Sequence, residues 1–482
     1  MLLSALCAAT QDAQMRGDDV QIAGVTIDSR KVGEGELFFC LPGMRVDGHA
    51  YAEKAVAAGA VALVVERWLD EIGVPQILVK DARAACSYMA QAFYGYPARE
   101  LTMVGATGTK GKTTTCFLIK AVADAAGRKC GLIGTAVNMI GSEIVTEHMS
   151  TPTTPDSIEL QRLLRRMVDE GCTMCVMEVS AHATLFKRVE GMTFAAGIFT
   201  NFTQDHLDDF STMDNYFASK LRFFEDGFCQ WAAVNADAAK AEEVASAGMV
   251  CTRFGVSQPA DVYAREIEIR EGGVSFQLSW GGLLMPLHLQ LSGLFNVYNA
   301  MAAATVCLHL GISSETVKRG LEGVRAVPGR MEAIETGTPY RVILDYAHSP
   351  DSLRNILEAI RQFTKGRVIA LFGCGGDRDR AKRPIMGEIA GRLADLVIVT
   401  SDNPRGEEPM DIIRQITEGI EPDGASCEVI EDRRSAIAYA LSIARAGDTV
   451  LLAGKGQETY QEIKGVKRPF DEKQIVAELL SK

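Results

Sequence analysis

The stretch LTMVGATGTKGKTTTCFLIKAVADAAG, residues 101–127, decides the fold. It starts as an apolar run, passes through a glycine-rich turn and continues as a helical pattern that Gly127 ends. Residues 172–180, 195–202 and 231–236 are also apolar runs that end in polar residues. Strands that alternate with helices predict a doubly wound, mostly parallel sheet. Functional residues are then expected at the carboxyl ends of these strands.

The turn GATGTKGKTT, residues 105–114, has the composition of a phosphate-binding loop. Backbone N–H groups of such a loop and the following helix N-terminus form a cradle for anions. Lys112 is then placed to reach the β- and γ-phosphates of a nucleotide, and the Thr113 hydroxyl to coordinate Mg²⁺. The strict pattern has glycine where this chain has Ala106. The alternative is an ordinary glycine-rich surface turn, which the strand–loop–helix context disfavours.

Changes of pattern divide the chain into three α/β units, which we place at residues 1–98, 99–328 and 329–482. Short strands and helices precede Tyr96-Pro97, and VPGRME at 327–332 marks the second boundary. Residues 251–290 alternate apolar and polar side chains, which predicts antiparallel strands in the central unit. We expect a small N-terminal unit, a central phosphate-loop domain and a C-terminal Rossmann-like domain.

Composition excludes several classes of protein. The 482 residues carry 50 Lys and Arg against 62 Asp and Glu, a net charge of −12, which argues against binding to nucleic acid. The N-terminus lacks the basic region of a signal peptide, and Leu2, Leu3 and Leu6 suit one face of a short helix. No apolar run approaches the roughly 20 residues of a membrane span. We therefore expect a cytoplasmic protein without membrane insertion. A monomer is expected as well, although composition does not derive it.

The 12 cysteines are scattered, as in a protein of a reducing compartment. Cys172 and Cys175 form a lone CxxC that precedes an apolar run. Burial beside a strand is the favoured interpretation, because a zinc site needs a second pair of ligands.

Three further residues are candidates for metal chemistry. Glu178 ends an apolar strand and suits Mg²⁺, although a satisfied strand-end carboxylate is the alternative. His206 follows another strand, where a lone histidine is more often structural. Lys220 borders an apolar helical face formed by Phe217, Leu221 and Phe224. It either snorkels to solvent or lies buried as a neutral amine, which CO₂ converts into a metal-binding carbamate.

Taken together, eight segments of this sequence resemble the signatures of the Mur ligase family, in the family's order and across essentially the whole chain. They are TGTKGKTT, MEVSAH, TNFTQDHLD, YFASK, LSGLFNVYNAMAA, PGRME, LDYAHSP and GKGQE. Two positions depart from the family pattern. Lys110 stands where Asn is usual, and Asp209-Phe210 stands where relatives often have Tyr-His.

The resemblance implies three domains that bind UDP, ATP and an amino acid. It implies Mg²⁺ near Thr113, Glu178 and His206, and a carbamate on Lys220 that serves as a further metal ligand. The catalytic residues would be Lys112, Glu178, His206 and Lys220. Contacts to ATP would come from Gly108, Thr109, Lys110, Gly111, Lys112, Thr113, Thr114, Asn296, Arg330 and Asp345.

Within the family, the chain looks most like the members that add meso-2,6-diaminopimelate to UDP-MurNAc-L-Ala-D-Glu. These are ATP-dependent acid–amino-acid ligases of peptidoglycan precursor synthesis, which activate the D-Glu γ-carboxylate as an acyl phosphate. The UDP substrate would be held by Ser29, Thr153, Thr154, Ser180 and Arg188. The diaminopimelate would be held by Arg378, Asp402, Asn403, Pro404, Arg405, Gly454 and Glu458. An arginine fork is suited to the distal carboxylate that lysine lacks.

Other functions remain as alternatives at this point. Within the family they are the lysine-adding ligase, MurF and folylpolyglutamate synthase. Outside it they are a nucleotide-binding switch without ligase activity, and a cysteine-dependent or zinc enzyme.

Overall fold

The structure is a computed structural model that describes residues 1–43, 46–147, 149–151, 153–205, 207–225, 227–270, 272–421 and 424–481. The strands of these residues form three large sheets and one separate hairpin. Most strand pairs in the large sheets are parallel, and helices cover the sheets, so the predicted three-unit α/β fold class is confirmed. No helix in the described ranges is both long enough and apolar enough to cross a membrane.

The first sheet has five strands in the order β1-β5-β4-β3-β2, and only β1 runs antiparallel to its neighbour. Its strands are β1 (Gln14–Arg16), β2 (Gly24–Thr26), β3 (Glu36–Phe39), β4 (Ala60–Val65) and β5 (Gln76–Leu78). Its helices are α1 (Leu3–Cys7), α2 (Ala52–Ala57) and α3 (Ala82–Phe93), with 3-10 turns at Gly48–Tyr51 and Pro97–Arg99. Leu3 and Leu6 are buried as predicted. Leu2 is 48% exposed, because it precedes the helix, so its predicted place on the same face is wrong.

The second sheet has eleven strands in the order β16-β15-β14-β13-β12-β11-β6-β10-β7-β8-β9. The strands are β6 (Thr102–Thr107), β7 (Cys130–Ile133), β8 (Met139–Ile140), β9 (Glu143–Ile144), β10 (Met174–Glu178), β11 (Ala196–Phe199), β12 (Trp231–Asn235), β13 (Val250–Gly255), β14 (Val262–Arg270), β15 (Gly273–Trp280) and β16 (Leu283–Leu289). The helices are α4 (Lys112–Ala125), α5 (Ser157–Asp169), α6 (Ala181–Leu185), α7 (Leu207–Phe210), α8 (Met213–Leu221), α9 (Ala241–Ala245), α10 (Leu294–His309) and α11 (Ser314–Glu322), with a 3-10 turn at Arg222–Phe224.

The predicted antiparallel region is correct for β14, β15 and β16. It is wrong for β13, which pairs in parallel with β12 and with β14. The burial along β13 explains the error, because only its last two residues are buried and the alternating pattern is weak.

Strand β6 lies in the middle of the parallel part, between β10 and β11. Within it, Gly105 is required by packing, since a Cβ there would lie 2.4 Å from the ring of Phe223. The carboxyl ends of β6, β10 and β11 therefore meet at one edge, where the glycine-rich loop also lies.

The third sheet has six strands in the order β17-β18-β22-β19-β20-β21, and only β17 is antiparallel to its neighbour. Its strands are β17 (Glu332–Ile334), β18 (Arg341–Asp345), β19 (Val368–Phe372), β20 (Leu396–Val399), β21 (Ser426–Val429) and β22 (Thr449–Ala453). The hairpin is β23 (Tyr460–Ile463) and β24 (Val466–Pro469). The helices are α12 (Pro350–Arg361), α13 (Lys382–Leu393), α14 (Pro409–Thr417), α15 (Arg433–Ile443) and α16 (Glu472–Leu480).

A fully buried ion pair joins helices α15 and α16, which both belong to the third unit. Arg433 Nε donates to Glu472 Oε1 at 2.8 Å, and both side chains are 0% exposed. Arg433 also donates to the carbonyls of Ser401 and Ala453, at the ends of two strands. One guanidinium therefore ties both helices to the loops that follow β20 and β22.

We predict that Arg433→Met lowers the free energy of unfolding by about 3–5 kcal/mol, because it leaves the Glu472 carboxylate buried without its cation. Arg434→Met is the matched control, since Arg434 pairs with Glu478 at the surface and such pairs contribute roughly 0–1 kcal/mol. Urea unfolding followed by tryptophan and far-ultraviolet signals measures both. Equal losses in the two variants would contradict the prediction.

Candidate active site

The glycine-rich loop between β6 and α4 depends on two glycines with positive φ. Gly108 has φ +143°, and a Cβ there would lie 2.0 Å from Thr200 Oγ1. Gly111 has φ +84° and is the N-cap residue of helix α4. Lys112 folds back over the loop, and its Nζ donates to the carbonyls of Gly108 (2.9 Å) and Thr109 (3.0 Å). Burial lowers the pKa of Lys112.

The carboxylate of Glu178 lies directly beside the start of α4. It is 1% exposed and accepts a hydrogen bond from Thr113 Oγ1 at 2.8 Å. Thr135, after β7, donates to it through its N–H (2.8 Å) and its hydroxyl (3.1 Å). The Thr113 hydroxyl and the Glu178 carboxylate are hydrogen-bonded to each other, and both are oxygen ligands of the kind that Mg²⁺ prefers. These residues therefore fit the ion. The sequence reasoning missed Thr135, although it follows an apolar run as the other site residues do.

Lys220 is buried, not snorkelling. Its side chain is 2% exposed, and Nζ donates to Gly108 O at 2.8 Å and lies 4.5 Å from the centre of the Tyr216 ring. Burial, and then the charge of Lys112, hold the pKa of Lys220 well below its usual value. Because CO₂ reacts with the uncharged amine, surroundings that disfavour the ammonium fit a carbamate on Lys220.

His206 lies outside the described residues, so its predicted metal role is untested. Side chains at the two departures from the family pattern both have close polar partners. Lys110 Nζ lies 2.8 Å from Asp205 Oδ2, and Asp209 Oδ2 lies 3.0 Å from His182 Nε2. The backbone of Lys110 also donates to Asn201 Oδ1 at 2.8 Å. The loop is thus fixed to the segment that follows β11.

Arg330, at the start of the third unit, reaches the glycine-rich loop. Its Nη2 donates to Thr113 Oγ1 at 3.0 Å, and its guanidinium lies over the ring of Tyr346. Asp345 accepts a hydrogen bond from the N–H of Met331, and burial raises its pKa to about 6. Among the described residues, Asn296 makes no hydrogen bond to the loop itself, but it accepts one from Asn299. Asn299 lies against the loop, since its Oδ1 would be 2.5 Å from a Cβ at Gly111.

Four of the five residues predicted for the UDP substrate come together beside Glu178. Thr154 Oγ1 donates to the Glu178 carbonyl (2.9 Å) and accepts from the Ser180 N–H (3.1 Å). Arg188 Nη1 donates to the Thr154 carbonyl at 3.0 Å, and Thr153 Oγ1 lies 3.0 Å from Thr135 Oγ1. The fifth residue, Ser29, follows β2 in the first sheet and is not bonded to this group.

The residues predicted for the amino acid lie at the carboxyl ends of β19, β20 and β22. Asn403 Nδ2 donates to Glu458 Oε2 at 2.9 Å, and Arg405 Nη1 donates to the Gly376 carbonyl at 2.8 Å. Gly454 has φ +111°, and a Cβ there would lie 2.5 Å from Asp402 Oδ2. Arg378 is exposed, in the loop that Arg405 contacts, and Pro404 packs against Gly376 in that loop.

Two residues of the segment GKGQE were not singled out from sequence. Lys455 is fully buried, and its Nζ donates to Asn403 Oδ1 (3.1 Å) and Glu458 Oε2 (3.3 Å). Gln457 Nε2 lies 3.4 Å from the Thr135 carbonyl of the central unit. The sequence shows that both residues belong to a glycine-containing motif, but it does not show which side chains of the motif point inward.

The CxxC pair packs as predicted. Cys172 and Cys175 are both buried, Cys175 within β10 and Cys172 just before it, and burial raises the pKa of each thiol. These are the properties of thiols that pack in a core.

Family models match most of the chain. The Mur ligase family, catalytic domain matches residues 21–94, the Mur ligase middle domain matches 106–307, and the Mur ligase, glutamate ligase domain matches 329–456.

Similar proteins extend over the full length. A UDP-N-acetylmuramoyl-L-alanyl-D-glutamate–2,6-diaminopimelate ligase of Clostridium botulinum is 42% identical and covers 100% of this chain and 99% of its own. One of Caldanaerobacter subterraneus subsp. tengcongensis is 45% identical and covers 96% and 95%. A solved structure of a ligase of that name is 31% identical, covers 97% of each chain and has a TM-score of 0.67.

The family models, the full-length relatives and the arrangement of loop, carboxylate and third sheet agree. The chain belongs to the Mur ligase family.

Proposed function

We propose that this protein is the ATP-dependent ligase that joins meso-2,6-diaminopimelate to UDP-MurNAc-L-Ala-D-Glu in peptidoglycan precursor synthesis. The observation that carries the proposal is one chain of hydrogen bonds. It runs from Arg330 through Thr113 to Glu178, and from the Glu178 carbonyl to Thr154. It links the nucleotide loop, the acyl-substrate residues and the third unit, as a reaction of three substrates requires.

In the proposed reaction, an oxygen of the D-Glu γ-carboxylate attacks the γ-phosphorus of ATP and ADP leaves. The diaminopimelate amine then attacks the acyl carbon of the resulting acyl phosphate, and inorganic phosphate leaves. The Lys112 ammonium offsets the negative charge that grows on the phosphoryl group. Contacts to ATP are proposed for Gly108 to Thr114, Asn296, Arg330 and Asp345.

Thr113 and Glu178 are proposed to hold Mg²⁺, and His206 and a carbamate on Lys220 to hold a second ion. Bound with ATP, Mg²⁺ neutralises phosphate charge and raises the electrophilicity of the γ-phosphorus. The oxygen donors beside Thr113 support this assignment, as does the burial of the Lys220 amine, which disfavours its charged form. Solved family members at 18–19% identity were crystallised with ADP, which supports use of an adenine nucleotide.

The binding of the three substrates is proposed to be divided among the three units. Residues 1–98 bind the uridine nucleotide with Ser29, residues 99–328 bind ATP and the muramoyl dipeptide, and residues 329–482 bind the amino acid. Arg378 and Arg405 are proposed to hold the distal carboxylate of diaminopimelate, and Glu458 is proposed to hold the distal ammonium. We further propose that the protein acts as a cytoplasmic monomer.

A screen of amines tests the function. Purified protein receives ATP, Mg²⁺ and UDP-MurNAc-L-Ala-D-Glu with meso-diaminopimelate, L-lysine, D-alanyl-D-alanine or L-glutamate, and phosphate release is measured. Diaminopimelate should give the fastest release. Release with lysine but not with diaminopimelate would overturn the assigned substrate.

Lys220→Ala is expected to lower turnover by at least about a hundredfold, because the site loses the anion that the carbamate supplies. Acetate or propionate should restore part of the activity by placing a carboxylate in the space that alanine leaves. Steady-state phosphate release with and without these acids measures both effects. Lys365→Ala, at an exposed lysine, is the control. Full activity of Lys220→Ala would rule out the carbamate role.

Arg405→Lys is expected to raise the KM for diaminopimelate by about ten- to a hundredfold, since an ammonium cannot make the two parallel hydrogen bonds of a guanidinium. The KM values for ATP and the UDP substrate should stay within about twofold, as these bind elsewhere. Arg414→Lys, on the exposed side of α14, is the matched control. An unchanged KM for diaminopimelate would contradict the assigned role of Arg405.

A further inference from the structure

Lys455 is a fully buried lysine whose ammonium contacts two of the residues proposed to bind the amino acid. It follows β22, and its side chain is 0% exposed. Its Nζ donates to Asn403 Oδ1 at 3.1 Å and to Glu458 Oε2 at 3.3 Å. The rings of Tyr460 and Phe470 lie 5.7 and 6.0 Å from the ammonium. Burying a charge away from solvent costs free energy unless the charge is paired. The Lys455 ammonium therefore depends on its hydrogen bonds to Asn403 and Glu458.

The bonds to Lys455 orient the side chain of Asn403. An ammonium can only donate, so the amide atom that faces Lys455 must be the oxygen. The N–H of Glu462 donates to the same oxygen at 2.9 Å. The amide nitrogen is therefore directed at Glu458 Oε2, which it reaches at 2.9 Å.

The same bonds leave one oxygen of Glu458 available. Oε2 accepts from both Asn403 and Lys455, whereas Oε1 has only a long, 3.5 Å contact with the Tyr346 hydroxyl among the described residues. Oε1 is thus the atom of Glu458 that is free to meet a ligand. Its position depends on Lys455, whose side chain is fully buried.

Lys455 also offsets an excess of acid groups. Asp402, Glu458 and Glu462 all lie around the loop that carries Arg405. Burial by itself raises the pKa of Asp402, but the charges of Lys455 and Arg433, together with the Asn403 N–H and His348, hold that pKa below its usual value. Asp402 Oδ2 is buried and has no hydrogen-bond partner in the described part of the chain. Without the Lys455 cation, these carboxylates would repel an incoming anionic group.

We infer that Lys455 is a positioning and specificity-determining residue. It orients Asn403 and Glu458, and its charge lets a substrate with a distal carboxylate approach Arg405. This inference rests on the proposed function, because it concerns the choice between diaminopimelate and lysine. Lysine brings no distal carboxylate, so it gains less from the buried cation.

Lys455→Met tests the inference, with Lys464→Met as its control. Lys464 lies in the adjoining hairpin and its side chain is 71% exposed, so the control removes the same charge from the surface. In Lys455→Met the KM for diaminopimelate should rise about ten- to a hundredfold, the range of a hydrogen bond to a charged group. The KM for lysine should rise less, so the preference for diaminopimelate should shrink, and Lys464→Met should behave as wild type.

A second measurement separates positioning from misfolding. In the absence of an amino acid, hydroxylamine attacks the acyl phosphate and gives a hydroxamate and phosphate, a reaction that does not need the amino-acid site. Hydroxamate formation in Lys455→Met should stay within about threefold of wild type. Should Lys455→Met fail this check, Lys455→Gln, which keeps a donor but no charge, is measured in the same way.

Three results would overturn the inference: an unchanged KM for diaminopimelate, an equal rise for diaminopimelate and lysine, or loss of hydroxamate formation in both Lys455 variants. Failure of the proposed function would appear separately, as wild-type protein that releases no phosphate with diaminopimelate.

Discussion

The hydroxyl of Thr113 stands between two units of the chain. It donates to Glu178 at 2.8 Å and accepts from Arg330 at 3.0 Å. The first bond fixes the start of α4 against the end of β10, and the second fixes the third unit against the loop. A hydroxyl has one proton, so Thr113 donates to Glu178 while its oxygen accepts from Arg330. The Arg330 bond exists only when the third unit stands against the loop. A movement of the third unit on substrate binding would form or break the hydrogen bond between Arg330 and Thr113. Domain motion would thus change one identified contact.

Electrostatics at the site differ from those of the whole chain. The net charge of −12 would repel ATP and an acidic UDP substrate, yet Lys110 and Lys112 lie in the glycine-rich loop and Arg330 reaches it. Burial holds the pKa values of Lys112 and Lys220 below their usual range, so their charge responds to what binds beside them. An arriving triphosphate favours the charged form of Lys112. Local cations therefore outweigh the global charge where anions must bind.

The sequence predicts this architecture well where periodicity carries the information. The apolar runs before Glu178, Asp345 and Asp402 are buried strands, and the polar residues that end them lie at the site. Prediction failed where tertiary contacts decide. Leu2 has the same character as Leu3 but precedes the helix, and β13 pairs in parallel although it adjoins the antiparallel strands in the sequence.

The same limit applies to the site. Lys455 and Thr135 look like ordinary loop residues in the sequence, because no local pattern tells which side chain of a loop turns inward. Lys220 shows the converse. Helical spacing placed it at the edge of an apolar face, but only the packing of α8 against the loop decides that its amine is buried at Gly108.

The origin of the oxygen in the released phosphate tests the account most directly. UDP-MurNAc-L-Ala-D-Glu labelled with ¹⁸O in the γ-carboxylate is converted in the presence of ATP and meso-diaminopimelate, and the inorganic phosphate is analysed by mass spectrometry. An acyl phosphate passes one carboxylate oxygen to phosphate when the amine displaces it, so each phosphate formed from doubly labelled carboxylate should carry one ¹⁸O. Phosphate without label would mean that ATP is split by water and that the γ-carboxylate is not the nucleophile.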